Sequence, residues 1–139
     1  MKNLGFTLIE VMLTIAIVGI LTALAMPSYA DYLIRGRIPD ATAGLAARQI
    51  RIEQFFQDNR SYVAAPDCVT DNTSSSYFIF SCSSQTSAAF SLQAVGKGGM
   101  SGFTFIVDQN NSKTTAAVPS GWSLPSPNTC WITKKGGVC

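Results

Sequence analysis

Glu10 is the residue whose type and position most need a chemical explanation. It is the single charge in the run from Phe6 to Met26, 21 residues reading Phe-Thr-Leu-Ile-Glu-Val-Met-Leu-Thr-Ile-Ala-Ile-Val-Gly-Ile-Leu-Thr-Ala-Leu-Ala-Met. At a rise of about 1.5 Å per residue, such a run can cross a bilayer core as a helix. A carboxylate inside hydrocarbon costs a few kcal/mol unless a cation meets it. A charge kept at that cost is by default functional, and the chemistry open to it here is charge pairing.

The other chemical groups are few. The sequence has no histidine, so the commonest general base and a common metal ligand are missing. Paired carboxylates, a nucleophile beside a base and a phosphate-cradling loop are missing too, and Gly96, Gly98 and Gly99 read as a turn between strands. These absences exclude catalysis as the function class, and no cofactor or metal site is expected. Cys68, Cys82, Cys130 and Cys139 all lie beyond the apolar run, an even count that fits an oxidising compartment. Four cysteines allow three connectivities, of which Cys68 with Cys82 and Cys130 with Cys139 is the simplest. A bridge closing about 15 residues contributes roughly 3 kcal/mol through the unfolded chain. Zinc is the rival use of these thiols, and it lacks both a C-x-x-C pair and a histidine. Lys134 and Lys135 lie between the last two cysteines, where two adjacent lysines read as a solvated loop tip. Lys plus Arg is 10 against 8 for Asp plus Glu, so there is no bulk positive field to draw in nucleic acid.

The elements that must position these residues follow from the pattern. The apolar run exceeds the 7 to 15 residues usual for a secretory signal core and contains Glu10. Both facts weigh against cleavage at Ala23-Leu24-Ala25, although those residues fit the small-residue rule. Ala16, Gly19 and Ala23 form a strip of small residues that lets helices approach closely. Pro27 lacks an amide hydrogen and clashes with the carbonyl four residues earlier, which predicts a kink over 23–27; Gly36 and Pro39 predict a second bend. From Ser28 to about Asn59 the helical pattern persists. Ile38, Ala41, Leu45, Ile52, Phe55 and Phe56 fall within one stripe expected to bury against a sheet. Ala43, Ala47 and Ile50 make a second, smaller strip on roughly the opposite side, which fits contacts with other subunits or ordinary surface residues.

Tyr77 to Cys82, Phe90 to Val95, Phe103 to Val107 and Lys113 to Val118 are β-branched or aromatic runs separated by Gly, Ser and Asn clusters. The segment Asp108 to Ser112 reads as a hairpin turn, and Arg60 to Ser76 as an irregular loop. Four closely spaced short strands imply an antiparallel meander packed on the helix, an α+β arrangement. Charge does not set the orientation of the span, because Lys2 on one side faces Arg35 and Arg37 on the other. Bridged cysteines would place the C-terminal part outside.

The segment Gly5-Phe6-Thr7-Leu8-Ile9-Glu10 resembles the class III signal of type IV prepilins and the related secretion pseudopilins. This resemblance implies that prepilin peptidase cuts between Gly5 and Phe6 and then N-methylates Phe6. It also implies that Glu10 pairs with the Phe6 amine of a neighbouring subunit, and that the stretch at Pro27 can melt on extension. Further along, Arg35-Gly36-Arg37-Ile38-Pro39-Asp40 and Glu53-Gln54-Phe55-Phe56-Gln57-Asp58-Asn59-Arg60-Ser61-Tyr62 resemble the PilE-type minor pilins, a group that includes ComP-like DNA-uptake receptors. The final cysteine pair, framed by Trp122, Pro125, Pro127 and Trp131, resembles the disulfide-bounded C-terminal loop of pilins.

The type IV pilin fold so implied has three segments: a leader over 1–5, a transmembrane and filament-core half of the helix over 6–27, and a globular head over 28–139. The implied life history is an inner-membrane precursor and then an extracellular pilus of a Gram-negative bacterium, with other pilin subunits and prepilin peptidase as partners. Assembly, twitching motility, adhesion and DNA uptake are the roles that go with it. A receptor pilin that contacts DNA through Lys134 and Lys135 is one alternative, and a pseudopilin of a type II secretion system is another.

Overall fold

The computed structural model describes residues 5–139; Lys2 and the expected leader up to Leu4 lie outside the described residues. The chain divides into two compact units, Met1–Leu33 and Ile34–Cys139. One helix, α1, runs from Leu8 to Asn59 without interruption at Gly36 or Pro39. Thr7 starts it, since its hydroxyl accepts the Glu10 amide at 3.4 Å and so satisfies one of the orphan donors of the first turn. At the other end Arg60 adopts φ 54°, the left-handed conformation that closes a helix. Its amide bonds the Phe56 carbonyl at 2.8 Å, while the Asn59 side chain bonds the Phe55 carbonyl at 2.9 Å.

In the second unit, α1 is followed by four strands: β1 (Phe78–Gln85), β2 (Phe90–Gly96), β3 (Thr104–Asp108) and β4 (Lys113–Ala117). They form a single antiparallel sheet in the order β1-β2-β3-β4, the expected meander. β1 continues three residues past Cys82. A bulge between Cys82 and Ser84 absorbs the irregularity, and pairing with Ser91 and Phe90 holds extended a serine-rich stretch of weak strand preference. The loop expected after Arg60 carries a short 3-10 turn at Pro66–Cys68. It then adds one ladder rung to the outer edge of β1, with Asp71 N bonding Phe80 O at 2.8 Å and Phe80 N bonding Asp71 O at 2.9 Å.

The core lies between the inner face of the sheet and one stripe of α1. Ile38, Ala41, Leu45 and Ile52 are buried, while Phe55 and Phe56 pack at its margin. Alternation on the strands brings Phe78 and Phe80, Leu92 and Ala94, and Phe105 and Val107 inward against them. Each large side chain so buried contributes on the order of 1.5–3 kcal/mol. Gly44 sits where α1 crosses Phe80, and a Cβ there would lie 2.3 Å from the tip of the Phe80 ring. The opposite edge of the sheet is closed by a side chain. Asn128 accepts the Thr115 amide at 2.9 Å and donates to the Thr115 carbonyl at 2.8 Å, as a neighbouring strand would.

Candidate functional site: an apolar stem and a bridged loop

The first candidate site is built on the stem, the part of α1 in the first unit. Phe6, Leu8, Ile9, Val11, Met12, Leu13, and the aliphatic residues onward to Met26 are exposed, so the most apolar segment of the chain shows its side chains on the surface. Thr14 and Thr22 turn their hydroxyls back onto the Val11 and Val18 carbonyls at 2.8 and 2.7 Å, which satisfies these donors within the helix. Gly19 has open space around its Cβ position, and so presents bare backbone to whatever approaches. Glu10 lies exposed in the first turn, where a carboxylate also opposes the positive end of the helix dipole. Thr7-Leu8-Ile9-Glu10 has the spacing of a capping box, of which the bond from the Glu10 amide to the Thr7 hydroxyl is formed; the pattern was visible in the sequence.

The second candidate site is the C-terminal loop. Cys130 and Cys139 are joined, as are Cys68 and Cys82, and no cysteine among the described residues is free. Within the first of these loops Val138 O accepts the amides of Thr133 at 2.8 Å and Lys134 at 3.2 Å. Gly136 and Gly137 take positive φ of 81° and 72° to make the turn. Gly137 admits no side chain, because a Cβ would stand 2.7 Å from Leu124 O. Lys134 and Lys135 are exposed on this turn.

The loop is tied to β4 rather than hanging from it. Thr115 Oγ1 donates to Cys130 O at 2.9 Å and accepts from the Ile132 amide at 3.1 Å. Trp131 donates its indole N–H to Ile106 O at 2.8 Å, and Lys113 Nζ stands 4.8 Å over its ring. The structure thus carries Lys113 on the same β4 and loop assembly as Lys134 and Lys135, a grouping no sequence spacing showed. Lys97 lies elsewhere, with its ammonium donating to Asn72 O at 2.6 Å.

Two ion pairs pin the loop between α1 and β1, and the sequence reading missed both. Arg48 lies only 8% exposed within the apolar stripe of α1, stacked 3.9 Å over Phe80 and paired with Asp71. Asp71 also receives the Thr73 amide at 2.9 Å and the Ser74 amide at 3.1 Å. The Ser74 hydroxyl first, and then those amides, hold its carboxyl well below the usual carboxylate range. Arg51 Nε donates to Asp67 at 2.8 Å near the surface, which raises the guanidinium pKa. Beyond the loop, burial and then the Glu53 carboxylate, 3.0 Å from its hydroxyl, raise the pKa of Tyr62. The second small strip of α1 remains open: Ala43 and Ala47 are exposed, and Ile50 is 60% exposed.

Among the described residues no cluster of three or more potential metal ligands occurs.

Comparison with known proteins sets these features in a family. Residues 27–104 match the family described as "Type IV minor pilin ComP, DNA uptake sequence receptor", and residues 1–26 match the prokaryotic N-terminal methylation motif. Similar sequences include the type IV major fimbrial protein FimA of Dichelobacter nodosus, 40% identical over 77 residues that cover 54% of this chain and 44% of that protein. A fimbrial protein of Moraxella nonliquefaciens is 39% identical over 67 residues, covering 48% of this chain and 44% of its own length. The match therefore spans less than half the length of these relatives. The non-core minor pilin PilV of Neisseria meningitidis shares the fold, with a TM-score of 0.56 at 16% identity over 68% of this chain and 96% of that one.

Proposed function

This chain belongs to the type IV minor pilin ComP family, and from that premise we propose that it is a structural subunit of a type IV pilus, built into the filament through its N-terminal helix. Prepilin peptidase cuts between Gly5 and Phe6 and methylates the new Phe6 amine. The precursor waits in the inner membrane, and the assembled subunit lies outside the cell. The carrying observation is the exposed apolar stem with one acid near its start. A stem with its apolar side chains this exposed needs lipid first and other subunits afterwards. The only cation that cleavage creates near the depth of Glu10 is the Phe6 amine, so Glu10 pairs with the amine of a neighbouring copy. Pro27 and Pro39, each without an amide hydrogen, remove a bond from the helix ladder and so mark where α1, continuous in the structure, would yield first under bending or extension. The side chains act by packing and pairing, and catalysis has no part in the role. Two measurements test this reading together: the N-terminal residue of the mature chain, expected to be N-methylated Phe6, and recovery of the chain in sheared surface filaments. A mature chain that begins at Met26, or one confined to the periplasm, contradicts it.

A second role, reception of DNA, is supported by the family match over 27–104 and by the exposed Lys134 and Lys135 with Lys113 on the same assembly. These lysines lie beyond residue 104, so the DNA contact we assign to them rests on their charge and exposure in this chain. Titration of duplex DNA with the full chain at two salt concentrations tests it. Binding that weakens with salt, and that drops further in Lys134→Ala/Lys135→Ala, is the expected result.

A further inference from the structure

Tyr29 and Tyr32 follow the apolar run at a spacing that places both on one face of α1, and they are 61% and 66% exposed. Between Leu21 and Tyr29 the same helix carries an open, mostly apolar groove lined by Leu21, Thr22, Ala25, Met26 and Tyr29. The Thr22 hydroxyl is already bonded to Val18 O. A groove of this kind suits an acyl chain that ends beneath a phenol. Tyrosine belongs at the membrane interface, where its ring rests among the acyl ends and its hydroxyl reaches water and headgroups.

The distances agree. Along a helix, Tyr29 is about 35 Å and Tyr32 about 39 Å from Phe6. A hydrocarbon core of about 30 Å within a bilayer of about 40–45 Å puts the Tyr29 backbone at headgroup level on the far side when Phe6 lies at the near boundary, and the Tyr32 backbone just beyond it, from where a side chain leaning back toward the helix N-terminus reaches the same layer. Glu10 is then only about 6 Å inside that near boundary, close enough for its carboxylate to stay hydrated.

We propose that Tyr29 and Tyr32 form an aromatic anchor at the outer lipid headgroups, which fixes the depth of the span and keeps Glu10 beside the inner interface until assembly. This rests on the reading of the stem as a membrane span. The carboxylate is therefore carried cheaply in the membrane. Its full desolvation falls due on entry into a filament, where the partner's amine is at hand.

The test uses the full chain in phosphatidylcholine vesicles whose lipids carry bromine near the headgroup, mid-chain or near the chain end, with a tryptophan placed by Ile17→Trp, Tyr29→Trp or Tyr32→Trp. Trp122 and Trp131 supply a fixed background, subtracted with the unsubstituted protein. The Ile17→Trp indole is expected to be quenched most by deep bromines, and the Tyr29→Trp and Tyr32→Trp indoles most by the shallowest. In Tyr29→Ala/Tyr32→Ala the Ile17→Trp quenching profile is expected to shift along the bilayer normal. Position 29 quenched as deeply as position 17, position 29 untouched by every lipid, or an unshifted profile in the double variant overturns the anchor. An Ile17→Trp indole that no lipid quenches overturns the membrane span itself, a distinct failure.

Discussion

The stem and the head hold similar apolar side chains and use them in opposite ways. In the head, Phe80, Phe105 and Leu45 are buried by the chain's own sheet and helix. In the stem, Ile15, Leu21 and Leu24 stand exposed around a bare helix. The free energy that burial releases is spent within the head on folding, whereas in the stem it is still available, and on the proposed reading lipid and then other subunits take it up. Polar groups follow the same division. Arg48 and Asp71 are partnered inside the head, while Glu10 in the stem finds no basic side chain on its own segment. The proposed passage from a membrane into a filament needs this arrangement, because the surface that assembles has to be unsatisfied beforehand.

Matched substitutions can break or sharpen the contrast. The largest effect is expected from Phe105→Ala, which empties the centre of the sheet and lowers unfolding stability by about 3–5 kcal/mol in chemical denaturation of the full chain in detergent. Ile15→Ala is expected to leave that stability unchanged. Next, Cys130→Ser/Cys139→Ser removes the tie on the final loop and costs about 2–3 kcal/mol by the loop-closure account, read as a lower denaturation midpoint. The glycines make a closer pair. Gly44→Ala drives a methyl into the buried Phe80 ring and costs roughly 1–3 kcal/mol, despite the better helix former. Gly19→Ala meets open space and leaves the head's stability alone, but reduces filament yield by holding neighbouring helices apart. The smallest effect concerns pH. Because the folded pKa of Asp71 lies below its ordinary 3.8, its stabilising contribution is complete above about pH 4 and fades as pH falls towards the folded value. Asp71→Asn should flatten this acid limb of the melting curve, and an unchanged acid limb would remove Asp71 from the account.

Much of this division was legible in residue order. Period 3.6 places Ile38, Ala41, Leu45 and Ile52 on one face, and alternation marks Phe90, Leu92 and Ala94, because local geometry alone decides which residues share a face. Arg48 escaped the same logic. An arginine in an apolar stripe reads as an interruption until its partner is known, and Asp71 stands 23 residues away on a loop with no periodicity. The outer rung that Asp71 adds to β1 and the strand-like grip of Asn128 on Thr115 are also long-range pairings of single residues, for which no window of sequence carries a signal. In the stem the Gly5 to Glu10 motif was plain. The capping role of Thr7 was just as readable, and it bears directly on how Glu10 should be tested.

Glutamine keeps the residue pattern of a capping box but carries no charge, so Glu10→Gln separates the start of the helix from pairing with a neighbour's amine. Filament mass in the sheared surface fraction, compared among unsubstituted protein, Glu10→Gln and Glu10→Ala at equal membrane levels, is the direct measurement. The account predicts that both variants insert and both fail alike to assemble. Wild-type filament mass from Glu10→Gln would contradict it and reduce Glu10 to a helix cap.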